Sequence, residues 1–297
     1  MGSTETVADK TFRNTSTPNL FSLRERTIIG KSFVLSFTGA AGGLGSQLTR
    51  AILESGGDVI GIDRDEIPPA AIWEPLQTLA KSLSRTLTYH ACDITSPSQT
   101  TAVFEKAASQ VPFPLRGLVN CAGVGTVGDS VDYPERETKW TLDVNLAGSL
   151  YVAQAAAKVV RKQFVEGKNG GEGASFVFVA SMSGYITNKA TPTAIYSASK
   201  AGVHQLTRSL AGEWGSSPSS EAPAIRVNSI SPGVIHTPMT REVLAHKEWT
   251  AVWEQEAMLK RISGPEEYRG AVVFLLADAS SYVTGADLRV DGGSTGW

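Results

Sequence analysis

The chain has 297 residues with 29 acidic and 27 basic side chains, and 41% of its residues are apolar, so it can form one large domain or two small ones with a full hydrophobic core. A formal charge of −2 leaves no basic surface of the kind that binds nucleic acid. No stretch reaches the ~18 to 20 consecutive apolar residues of a membrane span, and residues 1–19 lack an apolar signal-peptide core. We therefore expect a cytoplasmic protein that binds neither nucleic acid nor a membrane.

The beginning of the chain differs in composition from the rest. Residues 1–20 are rich in Thr, Ser and Asn and contain few apolar side chains. Such a segment buries too little surface to offset the entropy of ordering. We predict a flexible or loosely docked N-terminal tail over 1–20, followed by a single domain over 21–297.

After the tail, short apolar runs rich in branched residues alternate with longer helical patterns. This alternation is typical of βα units around a parallel sheet. The predicted strands are 32–37, 59–62, 87–90, 117–120, 175–180, 225–230 and 287–290. The predicted helices are 43–55, 71–83, 97–110, 135–164, 195–212 and 265–276. The fold class is α/β, with a doubly wound parallel sheet of about seven strands.

Two apolar runs compete for the first strand. Residues 27–29 and 33–37 are separated by Gly30 and Lys31. We assign the strand to the second run, since Thr38 and Gly39 follow it directly. The other possibility, that residues 30–37 are an insertion, stays open.

A glycine-rich segment follows this strand and opens a helix. Gly39, Gly43 and Gly45 give the spacing G-x-x-x-G-x-G, with Leu44 between the last two. Glycines let the backbone approach a pyrophosphate held at the helix N-terminus. The segment predicts a dinucleotide site in a Rossmann-type fold.

An acidic residue ends the next predicted strand. Asp63 lies about 20 residues beyond the glycine segment, where a carboxylate can accept hydrogen bonds from ribose hydroxyls. A carboxylate there would repel an adenosine 2′-phosphate, so NAD is favoured over NADP. Arg64 leaves the alternative open, because a guanidinium can stack on adenine or bind that phosphate.

Tyr196 and Lys200 are four residues apart in a predicted helix, so they share one face. A phenol with an ordinary pKa of ~10 is a poor base at neutral pH, but a neighbouring ammonium favours its phenolate. The pair therefore indicates a proton carrier.

Five motifs now stand in one order: the glycine segment, Val-Asn-Cys-Ala-Gly at 119–123, Asp-Val-Asn at 143–145, Tyr196 with Lys200, and Ser-Pro-Gly at 231–233. In this order the chain resembles the classical short-chain dehydrogenases/reductases, over about residues 33–293. The resemblance implies an NAD(P)-dependent oxidoreductase acting on CH–OH groups.

The resemblance also implies a catalytic set of Asn145, Ser181, Tyr196 and Lys200. Asn145 is expected to hold a water that relays protons to Lys200. Either Ser181 or Ser183 could contact the substrate oxygen: Ser181 stands three residues before Gly184, and Ser183 stands 13 residues before Tyr196. We prefer Ser181, with Ser183 lining the substrate pocket.

The remaining carried-over residues concern the cofactor. Asp93 and Ile94 match the segment that faces the adenine, and the strand end beside the adenine ribose carries Cys121 where the family has a second asparagine. The resemblance implies these further cofactor residues, beside those of the glycine segment, Asp63, Arg64, Tyr196 and Lys200: Asp93, Ile94, Asn120, Ala122, Gly123, Pro232, Gly233, Ile235, Thr237 and Met239.

The cysteines and histidines carry little functional signal. Cys92 and Cys121 lie in apolar runs without the spacing of a metal site, so we interpret them as small buried hydrophobes and expect no metal. His236 could touch the pocket. His90, His204 and His246 are interpreted as satisfied core or surface side chains.

The sequence therefore predicts an NAD(H)-dependent oxidoreductase that interconverts a secondary alcohol and a ketone. Residues 180–188 and 18–23 look like the fungal polyol and ketose branch, and a substrate lid is expected at 237–260. The alternatives are an NADP(H)-dependent ketoreductase of a sugar or natural product, and a non-catalytic dinucleotide-binding sensor or scaffold. Broad apolar stripes on helices 135–164 and 195–212 predict a homodimer or homotetramer.

Overall fold

The computed structural model describes residues 15–24, 34–38, 42–111, 113–125, 127–169, 172–216 and 222–297, and for 34–38 it describes the backbone alone. Residues 27–29, 32 and 33 and Gly39, to which the sequence analysis assigned roles, lie outside this range, as does the tail up to residue 14. The division into tail and single domain stays a prediction.

The described residues form one parallel sheet of seven strands in the order β3-β2-β1-β4-β5-β6-β7. The strands are β1 Val34–Thr38, β2 Asp58–Asp63, β3 Leu87–Ala91, β4 Leu115–Asn120, β5 Ala174–Val179, β6 Ile225–Pro232 and β7 Asp287–Val290. From β1 the strands are added first on one side, as β2 and β3, and then on the other side, as β4 to β7, so the strand order reverses between the neighbours β1 and β4. In such sheets a crevice forms at the carboxyl ends of the strands at that point.

The predicted strands agree with these bounds to within two residues where both are described. The confirmed doubly wound arrangement follows from the apolar runs, because a strand buried on both faces is apolar at nearly every position. In β5, Phe176 and Phe178 pack into the core on one face of the sheet, and Val177 packs into the core on the other.

Helices cover both faces. The α-helices are α1 Thr17–Leu20, α2 Gly43–Glu54, α3 Ala70–Ser82, α4 Pro97–Ser109, α5 Glu135–Leu142, α6 Gly148–Val165, α7 Ala194–Trp214, α8 Arg241–Ala245, α9 Lys247–Glu256 and α10 Arg269–Leu276. The core on one face draws on α4, α6 and α7, and the core on the other draws on α2, α3 and α10.

The predicted single helix over 135–164 was wrong in one respect. A π-helical segment, Asp143–Ala147, separates α5 from α6, and the Gly148 amide donates to the Asp143 carbonyl five residues back. The wider turn inserts one residue into the helical register. Such π segments are rare and are frequent at functional sites, and this one contains Asn145.

Two helices were not predicted as helices. The segment at 237–260 contains α8 and α9, preceded by a 3-10 turn at Pro238–Thr240. Most of its side chains are exposed, and within α9 only Trp253 is buried. The predicted helix over 265–276 divides into a 3-10 turn, Pro265–Tyr268, and α10.

The segment before β1, where it is described, packs against the end of α2 and against α10. Leu23 is 3% exposed and its amide donates to the Ser55 carbonyl at 2.9 Å. Phe21 contacts Phe274, with 6.2 Å between ring centroids. Among the described helices, none combines the length and the hydropathy needed to cross a bilayer.

Candidate active site

A cavity of about 740 Å³ runs along the carboxyl ends of the strands. Its wall begins at Asp63 after β2, passes the start of α2, and reaches Tyr196 and Lys200 on α7. This is the crevice expected where the strand order reverses. The cavity joins, within one space, the segments that the sequence analysis assigned to the dinucleotide and to catalysis.

Ser181, Tyr196 and Lys200 meet in one corner of the cavity. Ser181 follows β5 and caps the 3-10 turn Met182–Gly184, and the other two residues lie one turn apart on α7. The Ser181 side chain lies beside that of Tyr196, and Lys200 Nζ lies 5.8 Å from the centre of the Tyr196 ring. Lys200 Nζ also donates to the Val179 carbonyl at 2.8 Å, which holds the amine at the end of β5.

Burial favours the neutral forms of both Tyr196 and Lys200. It raises the pKa of Tyr196, and the hydrogen bond with Ser181 opposes that shift. It lowers the pKa of Lys200 to about 8. Tyr196 is therefore a phenol at neutral pH, and Lys200 loses its proton at a lower pH than an exposed lysine does.

The two serines have different partners. Ser181 Oγ accepts from the Ser183 amide at 3.1 Å and also contacts Tyr196. Ser183 Oγ accepts from Asn188 Nδ2 at 3.1 Å. Both serines line the cavity. The contacts support Ser181 as the serine beside the reacting oxygen and Ser183 as part of the pocket wall.

The side chain of Asn145 links two segments beside Lys200, and the water relay expected of it stays a prediction. It is fully buried, and it is absent from the cavity wall among the described residues. Its Oδ1 accepts from the Val124 amide at 2.8 Å, and its Nδ2 donates to the Val124 carbonyl at 2.9 Å and to Ser199 Oγ at 3.0 Å. The side chain therefore joins the segment after β4 to α7, in the turn before Lys200.

The beginning of α2 forms the wall nearest the end of β1. Gly43, Leu44 and Gly45 line the cavity, whereas Gly39 lies outside the described residues. A Cβ built on Gly43 would lie 2.7 Å from Pro238 Cδ and 3.1 Å from Thr237 Cβ. A side chain at position 43 would fill the space between the helix N-terminus and the segment after β6.

Asp63 and Arg64 both line the cavity at the end of β2. Asp63 Oδ1 accepts from the Arg64 amide at 2.8 Å, which fixes the carboxylate. The Arg64 side chain is 74% exposed, and its Nε lies 3.6 Å from Asp65 Oδ1. The guanidinium is thus directed toward the neighbouring acid at the cavity edge.

The residues after β3 and β4 divide into two groups. Asp93, Ile94, Ala122 and Gly123 line the cavity, and the Asp93 carboxylate accepts from the Thr95 amide and hydroxyl. Asn120 is not among the described residues of the cavity wall, and its expected place beside the adenine ribose stays a prediction.

Asn120 is 2% exposed, and its Nδ2 donates to Ser149 Oγ at 2.8 Å. It therefore ties the end of β4 to α6. The sequence motif could not distinguish this role from contact with a ligand, because both place an amide at a strand end.

The segment after β6 forms the opposite wall. The residues predicted there all line the cavity: Pro232, Gly233, Ile235, Thr237 and Met239. Thr240 Oγ1 accepts from the Thr237 amide at 3.0 Å and donates to the Ile235 carbonyl, so this wall is folded back on itself. Met239 is 57% exposed at the cavity mouth.

The cysteines and His236 differ from their simplest interpretation. Cys92 is buried, but Cys121 is only half-buried and both line the cavity. Burial raises the pKa of Cys121 to about 12, so its thiol is protonated. His236 is exposed and is not among the described residues of the cavity wall.

Several wall residues escaped the sequence analysis. Asn188 donates to Ser183 and, at 2.8 Å, to Thr193 Oγ1, so a chain of polar side chains borders the substrate end. Trp140 and Val144 line the same end, and their i, i+4 spacing before Asn145 was the available signal. Nothing in the spacing of Asn188 could have identified it.

The described residues fit a dinucleotide. The cavity has a carboxylate at one end and an acid–base pair at the other, and Gly43 between them leaves no room for a side chain. Backbone amides at the α2 N-terminus suit a pyrophosphate, and the Asp63 carboxylate suits ribose hydroxyls.

Comparison with known proteins agrees with this geometry. A family model described as "Enoyl-(Acyl carrier protein) reductase" matches residues 39–295. A protein named "Short chain dehydrogenases/reductase notP'" from Aspergillus versicolor is 44% identical over 282 residues, which cover 95% of this chain and 91% of that protein. An NADH-dependent L-xylulose reductase from Ambrosiozyma monospora is 39% identical, covering 88% and 94%.

A solved structure is also similar. The NADPH-dependent 3-quinuclidinone reductase from Rhodotorula rubra superposes with a TM-score of 0.79 at 31% identity, covering 94% of this chain and 95% of that chain. These findings leave the non-catalytic alternative without support. The chain belongs to the classical short-chain dehydrogenase/reductase family, and it is an NAD(P)-dependent oxidoreductase that acts on CH–OH groups.

Proposed function

We propose that the protein is an NAD(H)-dependent oxidoreductase that interconverts a secondary alcohol and a ketone, with Tyr196 as the acid–base group. The observation that carries the proposal is the placement of Ser181, Tyr196 and Lys200 together in the wall of the cavity that also contains the start of α2 and Asp63. The bound nicotinamide ring supplies the hydride acceptor or donor.

In the reduction direction, Tyr196 Oη gives its proton to the oxygen of the substrate. The raised pKa of the buried phenol keeps that proton in place at neutral pH until the oxygen gains charge. The Ser181 hydroxyl donates to the same oxygen, and the ammonium form of Lys200 favours the phenolate left behind. Donors fixed before the reaction stabilise the developing charge without reorganising.

Asn145 affects Tyr196 and Lys200 indirectly, through its hydrogen bonds to neighbouring residues. Its three hydrogen bonds hold Val124 and Ser199, and Ser199 Oγ also donates to the Tyr196 carbonyl at 2.7 Å. We assign Asn145 the role of a positioning residue that sets the turn of α7 carrying Tyr196 and Lys200.

The substrate end of the cavity has two kinds of wall. Ser183, Asn188 and Thr193 offer hydroxyl and amide groups, whereas Trp140 and Met239 are apolar. Hydroxyl groups next to the reacting carbon would suit the polar wall, as in a polyol or ketose, and the L-xylulose reductase relative favours this class. The second candidate is a bulky natural-product alcohol, which the apolar wall favours.

The test is a panel of polyols and cyclic secondary alcohols, each assayed with NAD and with NADP. We expect the best substrate to prefer NAD by at least tenfold in kcat/KM, equivalent to about 1.4 kcal/mol. The reason is that a 2′-phosphate beside the Asp63 carboxylate brings two anions together, while Arg64 is directed toward Asp65. A preference for NADP would contradict the cofactor proposal and leave the alcohol oxidation intact.

The Asp63→Ala variant sharpens this test. We expect it to reduce the NAD preference mainly by improving kcat/KM with NADP, because the repulsion is removed while Arg64 remains. Glu66→Ala is the matched control, since Glu66 is an exposed acid three residues away that is not among the described residues of the cavity wall. An unchanged ratio in Asp63→Ala, or an equal change in the control, would remove Asp63 as the discriminating residue.

The predicted self-association is part of the proposal. The apolar stripes of 135–164 and 195–212 would pack against a second subunit and give a homodimer or homotetramer. Light scattering at micromolar concentration should give a mass of at least twice 31.5 kDa. A mass equal to one chain would disprove it.

A further inference from the structure

His204 lies one turn beyond Lys200 on α7, and it is 3% exposed. Its Nε2 lies 2.7 Å from Ser231 Oγ, at the end of β6. Ser231 Oγ donates its single hydrogen to Asp287 Oδ1 at 3.0 Å. Because that hydrogen is committed, His204 Nε2 must carry the proton and donate to Ser231.

The hydrogen bonds from His204 through Ser231 end at Asp287, the first residue of β7. Asp287 Oδ1 also accepts from Ser229 Oγ at 2.5 Å. Two hydroxyls from β6 therefore fix one carboxylate oxygen, and the imidazole is fixed in turn. Burial lowers the pKa of His204, so the ring is neutral at pH 7 and acts as a plain donor.

The edge of the ring formed by Nδ1 and Cε1 faces the turn that carries Ser181. A Cβ built on Gly184 would lie 2.6 Å from His204 Cε1 and 2.9 Å from the Ala201 amide nitrogen. The Tyr185 ring stacks on the imidazole, with 4.2 Å between centroids and 29° between planes. The imidazole is therefore enclosed by the backbone of Gly184 and the ring of Tyr185.

This turn is rigidly linked to the reacting hydroxyl. The Gly184 amide donates to the Ser181 carbonyl at 3.0 Å, and the Ser183 amide donates to Ser181 Oγ at 3.1 Å. A displacement of Gly184 would therefore move Ser181 Oγ relative to Tyr196.

From these contacts we infer that His204 is a positioning residue for the reaction: it holds the Ser181–Gly184 turn against α7 and so sets the distance between Ser181 and Tyr196. The inference rests on the proposed roles of Ser181 and Tyr196. A misplacement of about 1 Å, remote from the chemistry, can cost on the order of 100-fold in rate.

The experiment compares His204→Leu, which keeps the volume but removes the donor, with His204→Gln, whose side-chain amide can still donate to Ser231. Turnover is expressed per site that binds NADH, measured by fluorescence titration, so that unfolded protein does not count. We expect His204→Leu to lose about tenfold or more in kcat, with the KM of the cofactor unchanged. His204→Gln should recover most of the loss.

The matched control is Thr207→Val. Thr207 is 1% exposed on the same helix, and its hydroxyl donates within the helix to the Val203 carbonyl at 2.8 Å. It should lower the melting temperature without lowering kcat per site. If His204→Leu does not fold, Ser231→Ala removes the acceptor at a smaller change of volume and should lower kcat in the same direction.

Three outcomes would overturn the inference: kcat within twofold of the parent in His204→Leu or its Ser231→Ala substitute, no recovery in His204→Gln, or an equal loss in Thr207→Val. Tyr196→Phe is assayed beside them. If Tyr196→Phe is inactive and the His204 variants are unaffected, only this inference fails. If Tyr196→Phe stays active, the proposed function fails as well.

Discussion

Replacing Tyr196 by phenylalanine is expected to lower kcat/KM by about 100-fold or more, the usual scale for loss of an acid–base group. The ring and its packing remain, so NADH binding should stay within a few-fold of the parent. The lost atom is the hydroxyl that Ser181 contacts in the cavity wall. Steady-state kinetics with the best alcohol of the panel and a fluorescence titration with NADH measure the two effects.

Tyr282→Phe is the control for the same chemical change, because Tyr282 is fully exposed. It should leave both quantities unchanged. Turnover of Tyr196→Phe within a few-fold of the parent would remove Tyr196 from the mechanism, whatever the cofactor preference proves to be.

The second large effect concerns Lys200, whose replacement is expected to lower activity and to raise stability. We expect Lys200→Met to lose about 100-fold or more in kcat/KM and, in the absence of cofactor, to be more stable than the parent at pH 7. Lys200 is 5% exposed, and burial of its ammonium lowers the pKa from 10.5 to about 8. Below pH 8 the folded protein must carry a charge that it disfavours.

The sign of the pH dependence follows from the same shift. Between pH 8 and 10.5 the unfolded chain keeps the lysine proton and the folded protein releases it, so the parent gains stability as the pH rises. The full shift corresponds to roughly 3 kcal/mol. The melting temperature of Lys200→Met should therefore exceed that of the parent most clearly at pH 7, and the difference should shrink toward pH 10.

Thermal melts at pH 7 and pH 10 test this. Lys162→Met is the matched control, since Lys162 is exposed on α6 and should show neither effect. A Lys200→Met protein less stable than the parent at pH 7 would mean that the Lys200 bond to the Val179 carbonyl outweighs the cost of burying the charge.

The central strands were predictable from the sequence because they are buried on both faces. In β2 the run from Val59 to Ile62 has no polar side chain, and Asp63 marks its end. The π segment Asp143–Ala147 was not predictable. One extra residue in a turn leaves the apolar pattern on either side unchanged, and only the backbone hydrogen bonds reveal it.

In the catalytic site, too, some contacts were predictable from the sequence and others were not. Tyr196 and Lys200 were predictable as neighbours because a helix brings residues four apart to one face. The contacts of Asn145 with Val124 and Ser199 and of Asn188 with Ser183 depend on how separate segments approach in space. The helices α8 and α9 were missed because the segment is largely exposed, so it lacks the apolar periodicity on which the prediction of helices depends.

The close approach of Gly43 to Pro238 has a thermodynamic consequence. The N-terminus of α2 and the segment leading into α8 face each other across a gap too narrow for a side chain. The same segment carries Met239 and Val243 in the cavity wall. A dinucleotide that displaced this segment on binding would change the affinity for the substrate, and the substrate would change the affinity for the dinucleotide by the same factor, because such linkage is reciprocal.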